Sequence, residues 1–486
     1  MNLKTVSRYV GYALLVSALF MLLSLGVSLL NGRDSGYVPL LVSFLITFIF
    51  GVFPFIFVRR TNAITLKEGY LIITLSWLLS FVFGMLPYAL WGGPFTVSNA
   101  WFESVSGFTT TGATILDDVE ALPLSLIFWR SSTHFIGGLG VVVFLLLIIP
   151  NTSPVKLRLT NMELSNLSKG SYSVRTNRTV YIFAYVYLGL MVLALVCYLL
   201  AGMSLFDATC HAFSICAAGG FSSRNLSIAS FNSPVIEVMT TVLMLLSSIH
   251  FELLFLAVVN RSLKPMNNPV LKAYLLWLLV CMVSLTLILK LDGAVNSWLL
   301  AFHYASFQTI STASTTGFSV VDYSGWPVFA NTIILSLALV CACAGSPSGG
   351  IKADRILIAL KSIGRQTNRI LHPSSVNEVK LGDRYFRDSE VYPHLIYIML
   401  YGLLLMISVV LSVVCGVNAH SSIAASISSL GNVGPAVQEL GGFGSFNPLP
   451  ASAKFLYSFD MFLGRIEIYP VLAVFTMLAD RRHRGA

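Results

Sequence analysis

The sequence predicts an all-α polytopic membrane protein of about ten transmembrane helices plus four re-entrant pore helices. The chain of 486 residues is 56% hydrophobic and 10% charged, and its mean hydropathy is +0.80. A water-soluble globule of this composition would expose far too much apolar surface. Its apolar stretches are long enough to cross roughly 30 Å of hydrocarbon at about 1.5 Å per residue. They lie near residues 9–32, 38–58, 69–91, 124–149, 179–202, 234–259, 272–291, 328–362 with an interruption, 391–416 and 450–479.

The second basis for this fold is a glycine that recurs at the end of a short segment of mixed polarity. It stands at Gly112, Gly220, Gly317 and Gly431, with spacings of 108, 97 and 114 residues. An alanine precedes each glycine by twelve residues. The position nine residues before the glycine is polar every time, as Glu103, His211, Gln308 and Ser422. This period leaves room in each unit for two membrane helices with a short re-entrant segment between them.

The repeats divide the chain into a helix pair and four units. The N-terminal helix pair covers residues 1–67. Its first apolar run is longer than the apolar core of a signal peptide and no small-residue cleavage site follows, so we expect a mature helix. The pore repeats cover residues 68–160, 178–262, 270–365 and 390–486. Their short segments cannot cross a bilayer, and irregular backbone at membrane depth must face protein or water. We therefore expect the four segments to line a wet path.

The basic residues predict the orientation. If Lys4 and Arg8 face the cytoplasm, 24 of the 30 Lys and Arg residues lie on that side, and both termini are cytoplasmic. The net charge of +9 is then explained by membrane insertion and does not indicate nucleic-acid binding. The seven cysteines have no paired spacing in outer loops, so neither a disulfide framework nor a cysteine metal site is predicted.

The glycine-ended segments suit the coordination of a dehydrated monovalent cation. A ring of backbone carbonyls can replace the water that a cation loses in a narrow pore, and glycine allows the required backbone torsions. The alternative is that each glycine merely ends a helix, but four glycines in phase argue against it. The candidate filter residues are Thr110, Thr111, Gly112, Ala218, Gly219, Gly220, Thr315, Thr316, Gly317, Ser429, Leu430, Gly431 and Asn432.

The chain resembles the TrkH/TrkG/KtrB superfamily of bacterial potassium uptake proteins, closest to the TrkH branch, over nearly its whole length. The matching motifs are FTTTGAT, STTGFS, SLGNVGP, SPSGGIKADR and FLGRIEIYPVL. The resemblance implies four helix-pore-helix repeats around a pseudo-fourfold pore, with K⁺ bound by filter carbonyls. It also implies a homodimer in the inner membrane and a cytosolic TrkA-type ring that binds the regulatory nucleotide. Related proteins that favour sodium can carry serine at the first filter glycine, so Gly112 argues for potassium.

A second motif interrupts the inner helix of the third unit. The run from Ala344 to Gly350 cannot remain regular helix, which predicts either a loop below the filter or a simple proline kink. The resemblance implies an intramembrane loop that obstructs the path. The predicted gate is Gly345, Ser346, Pro347, Ser348, Gly349 and Gly350, with Lys352 just beyond it.

Arg465 lies close to the middle of the last apolar stretch. An arginine at this depth costs at least ~2.5 kcal/mol, so it usually faces a pore or a partner. The resemblance implies that Arg465 projects into the pore below the filter as a barrier to cations. A structural ion pair with Glu467 or Asp460 is the alternative, although their spacing along a helix is poor for it.

The sequence favours a transport protein over an enzyme. It contains no nucleotide-binding phosphate loop, acid-base dyad or metal cluster, so any nucleotide control must come from another subunit. A symporter that couples K⁺ to H⁺ or Na⁺ is the alternative, but Glu103, Glu252, Asp460 and Glu467 form no evident relay. Asp117, Asp118 and Glu120 follow the first filter segment, where they either concentrate cations or form a solvated loop.

Overall fold

The computed structural model describes residues 3–58, 65–140, 176–372, 378–381 and 384–484. This part of the chain is helical apart from one short antiparallel hairpin, in which Val379 pairs with Phe386. The prediction of an all-α polytopic membrane protein is confirmed. The end of the predicted span 124–149, the end of the first repeat and the basic residues Arg59, Arg60, Lys156, Arg158, Lys169 and Arg175 lie outside the described residues.

The helices follow the predicted order. The N-terminal pair is α1 (Leu3–Leu30) and α2 (Tyr37–Phe57). The first unit has α3 (Leu66–Gly84), α4 (Leu86–Trp91), the pore helix α5 (Val97–Phe108) and α6 (Leu124–Leu139). The second has α7 (Thr176–Leu200), the pore helix α8 (Leu205–Cys216), α9 (Pro234–Ser248) and α10 (Phe251–Val259).

The third unit has α11 (Pro269–Leu291), the pore helix α12 (Trp298–Ala313), α13 (Val328–Val340) and α14 (Ala353–Leu371). The strands β1 (Val379–Leu381) and β2 (Arg384–Phe386) follow it. The fourth unit has α15 (Asp388–Val414), the pore helix α16 (Ala419–Gly431), α17 (Ala451–Arg465) and α18 (Tyr469–Arg484). Single turns of 3₁₀ helix lie at Ser227–Phe231, Lys264–Met266 and Gln438–Leu440.

Six described spans are long and apolar enough to cross a membrane, one of which joins α3 and α4, and α9 with α10 forms a further, bent candidate span. The six spans are Leu3–Leu30, Tyr37–Phe57, Lys67–Trp91, Val180–Leu200, Pro269–Leu291 and Asp388–Val414. The other predicted spans belong to helices that follow the pore segments. In the second, third and fourth units, these spans are divided between two helices.

The helix after each pore segment starts at or directly after a proline and ends early. The helices α6, α9, α13 and α17 contain 16, 15, 13 and 15 residues. Proline suits this position because the first helical turn does not need its missing N–H group. The sequence predicted only the break in the third unit. The continuous spans predicted over 234–259 and 450–479 are wrong, since α9 and α10 are bent by 101° and α17 ends before Glu467.

The two unpredicted breaks have different local geometries. At the first, the backbone of the third unit takes over the hydrogen bonds: the Cys343 N–H donates to the Ser248 carbonyl at 3.2 Å, and the Phe251 N–H donates to the Gly345 carbonyl at 3.2 Å. At the second, Glu467 and Ile468 adopt φ angles of 62° and 59°. A β-branched residue rarely adopts a positive φ, so tertiary contacts must hold this break in place.

The N-terminal pair packs closely through small residues. A Cβ atom at Gly11 of α1 would lie 2.7 Å from the Gly51 carbonyl oxygen of α2, whereas one at Gly26 would meet nothing within 4 Å. Association of helices in a membrane depends on such close backbone approach, because lipid supplies no hydrophobic force between helices.

This contrast allows a matched test of helix packing. Both Gly11→Ala and Gly26→Ala gain about 1 kcal/mol of helix propensity, so their difference isolates the contact with α2. We expect Gly11→Ala to lower the melting temperature of the detergent-solubilised protein relative to Gly26→Ala. Equal melting temperatures would show that α1 and α2 do not pack through this contact.

Candidate cation filter

Four extended backbone segments follow the four pore helices. Each opens with a residue of positive φ, which turns the chain away from the helix axis. These residues are Thr110, Ala218, Thr315 and Asn432, with φ angles of 53°, 52°, 61° and 54°. Such left-handed conformations are uncommon outside glycine, so their recurrence indicates one shared local geometry.

A serine of each pore helix holds the segment that follows. Ser106, Ser214 and Ser311 donate to the carbonyls of Ala113, Phe221 and Phe318, each at 2.6 Å. Ser428 donates to the carbonyls of Gly434 at 2.7 Å and Pro435 at 3.3 Å. The carbonyl of each serine accepts from a segment N–H in return, at 2.8 to 3.0 Å. Both ends of every segment are thereby tied to its own pore helix.

The segments meet in a closed ring through their glycines. A Cβ atom at Gly112 would lie 2.6 Å from the Gly220 nitrogen, and one at Gly220 would lie 2.5 Å from the Thr316 carbonyl oxygen. A Cβ atom at Gly317 would lie 2.3 Å from the Val433 carbonyl oxygen. The fourth segment closes on the first, because a Cβ at Gly434 would lie 2.3 Å from the Thr111 carbonyl oxygen. Side chains at these positions would push the segments apart.

The structure corrects the fourth segment. The predicted filter residues Ser429, Leu430 and Gly431 belong to the pore helix α16, and a Cβ at Gly431 would approach the Ala338 carbonyl oxygen instead of the ring. The ring residues of this unit are Asn432, Val433 and Gly434.

The cause of the error is the motif SLGNVGP, which contains two glycines three residues apart. Aligning the units on their leading alanine selected the first of them. A better signal was available, since a serine stands six residues before Gly112, Gly220, Gly317 and Gly434 alike. The corrected alignment places Ala425 nine residues before the glycine, so the polar position recurs in three units.

The glycines open on one side into a cavity of about 70 Å³, which Asp117 and Arg130 also line. The acidic residues around it bind other loops. Asp117 accepts from Asn447 at 2.6 Å and from Ser445, and Asp118 accepts from Asn225 at 2.8 Å. The hydrogen bond from Asn225 lowers the pKa of Asp118 below its usual value. These contacts join the loop that follows the first filter segment to the loops of the second and fourth units.

The predicted gate lies on the opposite side of the ring. The Gly349 N–H donates to the Thr315 hydroxyl at 3.3 Å, and a Cβ at Gly349 would lie 2.3 Å from the Gly431 carbonyl oxygen. The loop therefore contacts the ends of two pore helices, where the extended segments begin. Lys352 is buried, and its ammonium group donates to the carbonyl and the hydroxyl of Ser348.

The loop has the backbone of an irregular segment and not that of a kinked helix. Gly345, Gly350 and Lys352 adopt φ angles of 78°, 72° and 77°. The Ile351 N–H donates to the Leu339 carbonyl and the Ala353 N–H to the Ala342 carbonyl, so the two ends of the loop are held next to each other. The alternative of a simple proline kink is therefore wrong.

Arg465 bridges this loop to the first unit. Its guanidinium donates to the Pro347 carbonyl and to the carbonyls of Gly137 and Gly138 at 2.6 and 3.1 Å. The two acidic residues considered as its ion-pair partners bind elsewhere. Glu467 pairs with Arg355 at 2.7 Å, and Asp460 accepts a hydrogen bond from Ser408.

The site is built from backbone and not from a conventional metal cluster. Among the residues that the structure describes, no group of three or more His, Cys, Asp or Glu side chains could hold a metal ion. A ring of four backbone segments instead suits a weakly held monovalent cation.

The ring and the four short pore helices that lead into it are the features of a membrane transport protein for cations. The chain belongs to the TrkH family of cation transport proteins, whose model matches residues 40–483. The prediction of this family is confirmed, and with it the prediction of a transporter and not an enzyme.

Several characterised proteins are similar to the chain over most of its length. It is 31% identical to the Trk system potassium uptake protein TrkH of Vibrio parahaemolyticus over 98% of this chain and 99% of that protein. It is 32% identical to the TrkG protein of Escherichia coli K12, over 78% of each chain. The crystal structure of the potassium transporter TrkH from Vibrio parahaemolyticus matches with a TM-score of 0.86 and 30% identity, over 97% of this chain and 98% of that one.

Proposed function

We propose that this chain is a potassium-selective uptake channel or transporter of the bacterial inner membrane, with both termini in the cytoplasm. K⁺ is coordinated by the backbone carbonyls of four filter segments. These are residues 110–112, 218–220, 315–317 and 432–434. The observation that carries the proposal is the closed ring of Gly112, Gly220, Gly317 and Gly434. The names of the relatives as potassium uptake proteins support the choice of ion.

The ring supports this function for a simple physical reason. A cation that enters a narrow path must exchange its water for other oxygen atoms, and carbonyls supply these without a fixed negative charge. The serine bonds hold the segments extended, so their carbonyls need not reorganise when the ion arrives. Gly112 at φ 80° avoids a side chain that would displace its neighbour.

The loop from Gly345 to Gly350, together with Lys352 and Arg465, forms the gate in this proposal. Its contact with Thr315 and Gly431 supports a position across the path next to the filter. Arg465 adds a positive charge and fastens the loop through Pro347 to the first unit. Opening then requires that the bonds of Arg465 break or exchange.

Regulation comes from outside the chain in this proposal. A cytosolic TrkA-type nucleotide-binding ring docks on the inner face of a homodimer, and the chain itself binds no nucleotide. The helix α14 supports such docking, since it leads from the gate to the hairpin and carries Lys361, Arg365 and Arg369. Movement of α14 would pull directly on Lys352 at the end of the loop.

The contacts of the acidic residues support a channel-like path over coupling of K⁺ to H⁺ or Na⁺. A proton relay needs carboxylates that can exchange protons along a line. Of the four candidates, Glu103 is bonded to Arg130, Glu467 to Arg355 and Asp460 to Ser408, at three separate places in the fold. The fourth, Glu252, is buried in α10, and its Oε1 has no hydrogen-bond partner among the described residues.

Substitution of Gly112 by serine tests the filter. A side chain at a positive φ costs ~1–3 kcal/mol, so we expect the ratio of K⁺ to Na⁺ flux in proteoliposomes to fall about tenfold or more. Unchanged potassium selectivity in Gly112→Ser would contradict the filter assignment.

The corrected fourth segment has its own pair of variants in the same assay. Gly434→Ala should lose selectivity, because its φ is 95° and its Cβ would meet the Thr111 carbonyl. Gly431→Ala should lower the flux ratio less, since its Cβ would meet the Ala338 carbonyl oxygen at 2.8 Å and not the ring. The reverse result would restore the original alignment.

Substitution of Arg465 by alanine tests the gate. Hydrogen bonds to a charged group contribute about 1.5–3 kcal/mol each, so removal of the guanidinium should raise resting K⁺ flux about tenfold or more at equal protein level. Arg465→Lys keeps the charge but cannot reach Pro347 and Gly137 together. Raised flux in both variants indicates a latch, and raised flux in alanine alone indicates a charge barrier. Equal or lower flux in Arg465→Ala would exclude both roles.

A further inference from the structure

A buried ion pair lies behind the filter, away from the gate. The Glu103 carboxylate in the pore helix α5 accepts from the Arg130 Nε in α6 at 2.6 Å. Glu103 is 0% exposed and Arg130 is 2% exposed. Burial of two charges costs several kcal/mol each unless further hydrogen bonds satisfy them. What else these two side chains bind is therefore informative.

Both partners bind the outer ends of filter segments. Glu103 accepts from the Thr114 hydroxyl at 3.0 Å and from the Ile115 N–H at 3.0 Å, just after Gly112. Arg130 donates to the Ser222 carbonyl at 3.0 Å, just after Gly220. The pair thus connects the first segment to the second through two charged groups.

A ring contact strengthens the second attachment. The Arg130 guanidinium carbon lies 3.5 Å from the centroid of the Phe221 ring, and the His134 ring stacks on Phe221 with centroids 4.1 Å apart. Phe221 directly follows Gly220, so this stack limits movement of the second segment. A desolvated cation over an aromatic face contributes about 2 kcal/mol.

We infer that Glu103 and Arg130 are positioning residues that hold the first and second filter segments at a fixed separation and thereby set the discrimination between K⁺ and Na⁺. The inference rests on the proposed function. Na⁺ is the smaller ion, so the segments would have to move inward to coordinate it equally well. A rigid connection behind the ring opposes that movement.

The charge balance of the pair contributes as well. Arg130 lines the cavity outside the ring, where an uncompensated positive charge would repel cations. Glu103 neutralises it at contact distance. The arrangement supplies a strong donor to the Ser222 carbonyl without placing a net charge at the ion entrance.

The other units show how specialised this connection is. In the second unit, His211 at the position of Glu103 bonds the Ser222 hydroxyl at 2.9 Å. In the third, Gln308 donates to Thr312 at 3.3 Å. In the fourth, Ala425 and Ala436 occupy the positions that correspond to Glu103 and Thr114. Among these positions, only the first unit has a carboxylate, so only there does the residue at this position form a buried ion pair that connects two segments.

The test measures the ratio of K⁺ to Na⁺ flux in proteoliposomes, with the melting temperature of each variant measured alongside. Glu103→Gln should lower the flux ratio about tenfold, since bonds to a charged group contribute about 1.5–3 kcal/mol. Arg130→Lys should lower it similarly, because one ammonium group cannot replace the Nε and Nη1 donors together. The double variant Glu103→Gln/Arg130→Gln should lose less than the sum of its single variants.

Thr114→Val distinguishes a loss of selectivity from a loss of folding, because it leaves both charged side chains in place. It keeps the buried pair and the side-chain volume but removes the hydroxyl that donates to Glu103 and that accepts from the Leu116 N–H at 3.1 Å. A flux ratio reduced about threefold or more at an unchanged melting temperature supports the inference. A wild-type ratio in folded Thr114→Val would overturn it, as would a Glu103→Gln protein that is less stable but equally selective.

Two further proteins complete the comparison. Arg33→Gln removes a surface contact with the Tyr37 ring, outside the filter, and it should leave the flux ratio unchanged. Gly112→Ser separates this inference from the proposed function. If Gly112→Ser loses selectivity and Thr114→Val keeps it, only the inference about Glu103 and Arg130 is wrong. If neither substitution changes the ratio, both that inference and the filter assignment are wrong.

Discussion

Backbone groups that leave a helix within a membrane must find partners in the protein, because hydrocarbon offers none. This constraint accounts for the main features of the structure. The four pore-helix serines bind the extended segments that follow them. The broken helix of the second unit binds the loop of the third through Ser248 and Phe251. Irregular backbone is concentrated where ions would pass, and each irregular segment supports another.

Close contact between segments follows from the same constraint. The glycines of the ring leave so little space that each segment contacts the next, and Gly349 brings the loop equally close to Gly431. Asn432 connects these parts, since its side-chain amide donates to the Thr111 hydroxyl at 3.0 Å and to the Met461 carbonyl at 2.8 Å. A change at the loop therefore reaches the filter through few contacts. In the proposed function, this proximity couples the gate to the filter.

The periodic features of the fold could be predicted from the sequence, because each leaves a local pattern. Four short polar segments and the run from Ala344 to Gly350 are visible without a structure. The breaks near His250 and Glu467 were missed, since neither has a run of glycine and proline like that of the third unit, and distant backbone stabilises the first. Gly434 was missed because Gly431 offered a competing match. The pair of Glu103 and Arg130 joins residues 27 apart in the chain, and spacing alone does not reveal it.

The central claim is that a cation binds on the axis of the ring formed by the four segments. Crystals grown in K⁺ and then transferred to Rb⁺ or Tl⁺ would show bound ions by their anomalous scattering. The account predicts a peak on the axis, surrounded by carbonyls of residues 110–112, 218–220, 315–317 and 432–434, and its loss in Na⁺ alone. Anomalous peaks confined to the acidic mouth near Asp117, with none within the ring, would contradict it.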